Sequence, residues 1–137
     1  MVLKNSVPTV KLAKTARRLP IVHATVNGSS GRRQRTAPER ADLLEESPPI
    51  DRTTLNAWED ADVLAAVRAA GRRKLVLCAL WTEMCIAFPA LDALREGYDV
   101  YPVVDAIAGT SVEAHRAGRQ PHRAGWRVTH QRGAADV

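Results

Sequence analysis

The stretch Lys74-Leu75-Val76-Leu77-Cys78-Ala79-Leu80-Trp81-Thr82-Glu83-Met84-Cys85 decides the fold. It opens as a continuous apolar run that closes at Leu80, too short for a free-standing helix and right for a buried strand. Past Trp81-Thr82-Glu83 the pattern becomes helical, with Ile86, Ala90, Leu91 and Leu94 inward and Gly97 as the stop. Cys85 therefore falls where a strand meets the first turn of a helix. Backbone N–H groups there lack intrahelical partners, and the helix dipole presents partial positive charge. Positions of that kind favour the thiolate, which is the reactive form. Cys78 lies within the strand and reads as a small core residue. Two cysteines make no disulfide framework, and no Cys78–Cys85 bridge is expected. Pro89 cannot donate to the carbonyl of Cys85, four residues back; it frees an acceptor beside the thiol, kinks the helix, or is simply tolerated near a first turn.

On the C-terminal side, residues 99–104 form the next strand, with Asp105 at its carboxyl end. Residues 112–124 should be helical, but Gly118 and Pro121 cost about 1 and 3 kcal/mol in a helix interior, so this helix is short or broken. Trp126-Arg127-Val128-Thr129 suggests a last strand, and the tail from 130 to 137 has no pattern. On the N-terminal side, residues 60–70 read as a helix whose buried stripe is Val63, Leu64, Val67 and Ala70, closed by Gly71. Before it stands a polar turn carrying Trp58, and before that a short extended piece ending at Arg52. Residues 27–49 form a long polar loop, with a short helix admissible at 41–45. Residues 21–26 are a strand rich in β-branched side chains, and residues 5–18 a helix with Pro8 in its first turn.

The order β-α-β-α-β with helix-long crossovers predicts one three-layer α/β/α domain over the 137 residues, with a parallel sheet. Thr82, Cys85 and Asp105 then share the carboxyl edge of the strands, where such sheets bind ligands. Apolar residues make up 45% of the chain, which supports a real core, and no run approaches the eighteen residues of a membrane span. The N-terminus lacks the long apolar stretch of a signal peptide, so a cytoplasmic protein is expected. The net charge of +5 comes with two arginine-rich segments, Arg32 to Arg40 and Arg116 to Arg132. Aromatics at 4% are too few for a base-stacking platform, so nucleic acid is not the favoured partner. His23, His115, His122 and His130 stand in no metal-ligand spacing, and neither metal nor other cofactor is expected.

The segments Arg52-Thr53-Thr54-Leu55-Asn56-Ala57-Trp58, Leu80-Trp81-Thr82-Glu83-Met84-Cys85-Ile86-Ala87-Phe88-Pro89-Ala90, Glu96-Gly97-Tyr98-Asp99-Val100, Val104-Asp105-Ala106 and Glu113-Ala114-His115 together resemble the isochorismatase-like cysteine hydrolases, the less characterised members above all. The resemblance covers roughly residues 5–129. It implies a three-layer fold and an Asp–Lys–Cys triad, with Cys85 at the nucleophile position. It also implies a cis Leu80–Trp81 peptide, an oxyanion hole from the N–H groups of Trp81 and Cys85, and substrate contacts from Thr82, Glu83, Asn56 and Trp58. Arg52 stands at the lysine position, where it can hold an anion but cannot act as a general base. The family's Asp closes a first, central strand that this chain is expected to lack, and a C-terminal helix is expected to be missing as well. Two functional expectations follow. One is a cysteine hydrolase acting on a small amide, ester or enol-ether-like substrate. The other is a non-catalytic, oligomerising α/β protein derived from such an enzyme, the homo-oligomer being expected on either reading.

Overall fold

A computed structural model of the chain describes residues 2–15, 18–28, 38–120, 125 and 127. Helix α1 spans Val2–Thr15, strand β1 Ala24–Val26, the helical turn α2 Pro38–Ala41 and strand β2 Ile50–Arg52. Helix α3 is Ala61–Ala69, strand β3 Lys74–Leu77, helix α4 Ala87–Arg95, strand β4 Asp99–Pro102 and helix α5 Val112–Arg119. A π-type turn, Thr82–Ile86, joins the region after β3 to α4.

The strands pair in parallel, as the crossover lengths require, but as two pairs and not one sheet: β1 with β2, and β3 with β4. The registers put Val26 opposite Arg52 and Leu77 opposite Pro102. One core serves both pairs. Val22, Ala24 and Ile50 from the first, and Leu75 and Leu77 from the second, pack on Val63, Val67, Ile86, Ala90, Ala93, Tyr98, Val100 and Ile107. Period-2 alternation along β3 sends Val76 and Cys78 to the opposite face, against Val103 and Ala106. Asn5 of α1 donates from Nδ2 to the carbonyl of Asp105 at 2.6 Å, tying α1 to the segment after β4; parallel strands joined by helices make the fold the α/β type.

Local chemistry explains most element ends. Asp60 caps α3 by accepting from the N–H groups of Asp62 and Val63, and Gly71 follows it at φ +62. Ser111 caps α5 by accepting from the N–H of Ala114. α5 ends at Arg119, two residues before Pro121, and is thus short, as its composition requires. Several boundaries depart from the sequence reading: β3 ends at Leu77 and not Leu80, and β4 at Pro102 and not residue 104. α1 begins at Val2 and not at residue 5, so Pro8 lies inside the helix and not in its first turn. The strand at 21–26 pairs only over its last three residues. The short helix in the polar segment sits earlier, at Pro38–Ala41, and runs into a 3-10 turn at Asp42–Leu44. His23 is half-buried with Nδ1 against the carbonyl of Ser47 at 3.2 Å, and burial lowers its pKa. The expected last strand lies outside the described residues except for Arg127, whose N–H donates to Val100 on β4 at 3.0 Å. Most of the Arg32–Arg40 segment and the 130–137 tail also lie outside them.

Candidate functional site

The site is built on the turn after β3. The Leu80–Trp81 peptide is cis. Leu80 bridges in parallel to Ala108, and the N–H of Thr82 donates to the Ala108 carbonyl at 2.8 Å, so the loop after β4 supports the turn's entrance. Inside the turn, Cys85 N–H donates to the carbonyl of Trp81 at 2.8 Å, and Ala87 N–H reaches back to Thr82, five residues earlier. Pro89 is the third residue of α4. It supplies no N–H to the Cys85 carbonyl, and the wider five-residue spacing lies just where that donor is missing.

Side chains fasten the turn to α5 and its approach. Thr82 is fully buried, and its Oγ1 lies 2.7 Å from Nδ1 of His115. Glu83 accepts through Oε1 from both the N–H and the hydroxyl of Thr110, at 2.9 and 2.8 Å. Burial opposes ionisation of Glu83, but the Thr110 donors, its own backbone N–H and the nearby His115 together hold the carboxyl below its ordinary range. Its Oε2 is buried and has no hydrogen-bond partner among the described residues. The approach is possible only because two residues carry no Cβ. A methyl on Gly118 would sit 2.7 Å from the Cα of Glu83, and one on Gly109 would sit 2.6 Å from the N of His115. Burial and the neighbouring Arg119 lower the pKa of His115, against the pull of Glu83.

Cys85 itself is half-buried and free, beside the inward line of Thr82 and Ile86. Cys78 differs sharply: burial, reinforced by the charge of Asp105, pushes its thiol up to about 12.

The remaining expected site residues lie on the β2–α3 segment. Arg52 is 5% exposed; its Nη1 donates to the carbonyls of Thr54 and of Leu55, and its buried Nε has no partner among the described residues. Asn56 donates from Nδ2 to Asp92 of α4 at 2.8 Å and accepts from the N–H of Trp58 at 3.0 Å. Trp58 donates from Nε1 to Glu96 at 2.8 Å and meets Tyr98 edge-to-face at 5.4 Å between ring centroids. Asn56 and Trp58 thus grip the C-terminal half of α4, roughly 10 Å along the helix from Cys85 at 1.5 Å per residue. Thr82, Glu83 and Cys85 are brought together in one turn, with Trp81 at its head. The sequence reading missed Thr110 and Asp92 as partners and gave His115 no role beyond its place in a matching segment. Among the described residues no group of three His, Cys, Asp or Glu side chains could hold a metal ion, and no helix is long and apolar enough to cross a membrane.

Comparison with known proteins gives the same outline. The model of the isochorismatase domain matches residues 2–131. Over 80 residues the chain is 42% identical to the probable hydrolase YcaC of Escherichia coli (strain K12), a span of 58% of this chain and 38% of that protein. The crystal structure of the YcaC gene product from Escherichia coli superimposes with a TM-score of 0.89 at 30% identity, covering 98% of this chain and 66% of that one. YcaC from Pseudomonas aeruginosa gives 0.88 at 28% identity, covering 98% and 67%. The chain thus spans well under half of the curated relative and about two thirds of the solved ones.

Proposed function

The chain belongs to the isochorismatase family, and from that premise we propose that it is a hydrolase working through Cys85 on a small amide, ester or enol-ether-like substrate. The observation that carries this reading is the mounting of Cys85. It is a free, half-buried thiol in a turn whose first two side chains, Thr82 and Glu83, are both fastened to the segment 108–118. On an amide or ester the Cys85 sulfur bonds to the carbonyl carbon, the thiol's proton leaves with the amine or alcohol, and water then hydrolyses the thioester to release the acid and restore the thiol. The N–H groups of Trp81 and Cys85 are the proposed oxyanion donors. That of Cys85 must then be shared with the Trp81 carbonyl it already meets. Arg52, a buried cation whose Nε has no partner among the described residues, suits an anionic group of the substrate. Asn56 and Trp58 act on the site through α4, which they anchor.

YcaC of Pseudomonas aeruginosa has been solved with covalent acrylamide, and an electrophile is the probe for this chain too. Iodoacetamide at neutral pH should label Cys85 of the folded chain faster than the same residue in the urea-unfolded chain. Equal or slower labelling sinks the nucleophile reading.

A second reading, a non-catalytic homo-oligomer, is favoured by a separate observation. Leu80, Phe88 and Val112 are each about half exposed or more, an unusual load of large apolar side chains near one turn. YcaC of Escherichia coli is described as an octameric hydrolase of unknown specificity, so assembly and hydrolysis coexist in that relative. Light scattering after size-exclusion chromatography decides: an active monomer removes the second reading.

A further inference from the structure

The contacts between α5 and the cysteine turn assign a role to a residue outside the expected site. Thr82 has no solvent exposure, so its hydroxyl must find a protein partner or leave a polar group stranded. It finds Nδ1 of His115 at 2.7 Å, across 33 positions of sequence. The backbone N–H of the same residue is used separately, on the Ala108 carbonyl. The imidazole is held in turn from its own backbone, since His115 N–H donates to the Ser111 carbonyl at 3.0 Å in the first turn of a capped helix. Three residues further along α5, Gly118 rests directly on the backbone of Glu83 and Thr82. His115 and Gly118 are i and i+3 neighbours on one helix face, and both address the same two turn residues.

We propose that His115 is a positioning residue for Cys85: its bond to Thr82 fixes the rotation of the turn that presents the thiol. The proposal rests on the cysteine-nucleophile reading above. Packing alone does not account for the contact, because a side chain of similar volume without a ring nitrogen would leave the Thr82 hydroxyl buried and unpaired. An Asn side chain, by contrast, carries its amide atoms at the same δ position as His Nδ1 and can take the hydroxyl's hydrogen bond.

The test is the rate at which iodoacetamide modifies Cys85 in the full chain, read from the mass of its peptide, with urea midpoints measured alongside. His115→Leu and Thr82→Val should each slow modification roughly tenfold, the factor for orphaning or deleting one buried hydrogen bond. The double variant should be no slower than either single one, because both remove the same bond. His115→Asn and Thr82→Ser, which keep the bond, should stay within about twofold of the parent; they hold the test open if a leucine or valine variant fails to fold. A fast parent with an equally fast His115→Leu overturns the proposal, as does a double variant slowed by the product of the two single effects. Asn failing to restore what Leu loses, with urea midpoints unchanged, overturns it too. A parent no faster than its own unfolded chain removes the nucleophile reading instead, and the proposal with it.

Discussion

Replacing Gly118 by alanine should loosen the cysteine turn, against the ordinary expectation for a helix. Gly118 is buried on α5 with no unusual backbone angle, so propensity alone predicts that alanine gains about 1 kcal/mol there. The geometry opposes it. The added methyl would stand 2.7 Å from the Cα of Glu83, 2.8 Å from its N and 3.1 Å from the carbonyl carbon of Thr82. All three are backbone atoms that cannot swing aside, and ordinary carbon contacts begin near 3.5 Å. α5 must therefore retreat by roughly 1 Å, which carries the 2.7 Å contact between Thr82 and His115 beyond hydrogen-bond reach. Overpacking of this kind costs about 1–3 kcal/mol, and the lost bond to a buried hydroxyl about 1 more. After the propensity gain the net loss is about 1–3 kcal/mol. Urea unfolding followed by circular dichroism would show a lower midpoint at unchanged slope. Cys85 alkylation should slow in parallel. Arg116→Ala, on the exposed side of the same helix, serves as the control and should stay within about 0.5 kcal/mol. A Gly118→Ala chain as stable as the parent, with Cys85 labelling unchanged, would refute the view that this close approach holds the turn.

Three further outcomes are expected. Because burial and Asp105 lift the Cys78 thiol to about 12, one equivalent of label per folded chain, all on Cys85, should be found at pH 8; label on Cys78 without denaturant would contradict its placement. Asn56→Ala removes a bond to Asp92 and a cap on Trp58 from a site 8% exposed, and should cost about 2 kcal/mol by urea midpoint. Stability should fall as pH drops below about 6.5, the ordinary histidine value, because His23 and His115 both have lowered pKa values when folded. In that window the unfolded chain binds more protons than the folded one, so acidification favours unfolding. The depressed carboxyl of Glu83 adds a second loss at lower pH, as it is protonated through its folded value. A midpoint that is flat from pH 7 to 5 would contradict the histidine placements.

The sequence revealed the elements with strong periodicity and missed what depends on distant contact. The apolar run before Trp81 reads as one strand to Leu80, yet it pairs with β4 only to Leu77, because Leu80 turns to Ala108 instead. The division of the strands into two pairs was also not legible locally, because alternation along β1 or β3 is indifferent to which strand lies beside it. The region around Pro121 reads correctly as the end of a helix because a proline acts locally. Gly118 shows the opposite case. In sequence it is a liability of about 1 kcal/mol within a helix; in the fold it is the point at which α5 touches the backbone of Glu83. The bond between Thr82 and His115 was likewise invisible, since nothing local to either residue announces a partner 33 positions away.

These contacts explain which side chains of the turn are buried: Thr82 and Ile86, while Glu83, Met84 and Cys85 are half-buried. Thr82 and Ile86 are i and i+4 neighbours, and both face inward, one to His115 and the other to the main core. Cys85 sits beside that stripe, half-buried, with its backbone N–H held by the Trp81 carbonyl. Pro89 keeps α-type spacing from running back through the turn, because it cannot supply the N–H that the Cys85 carbonyl would need. The five-residue link from Ala87 to Thr82 takes up the difference. The direction of the thiol is therefore set from both ends: by Pro89 through the helix that follows, and by Thr82 and Glu83 through the helix that packs across. A change at either end should move the sulfur without altering the cysteine itself, and for that reason the residues around Cys85 carry as much of the site as Cys85 does.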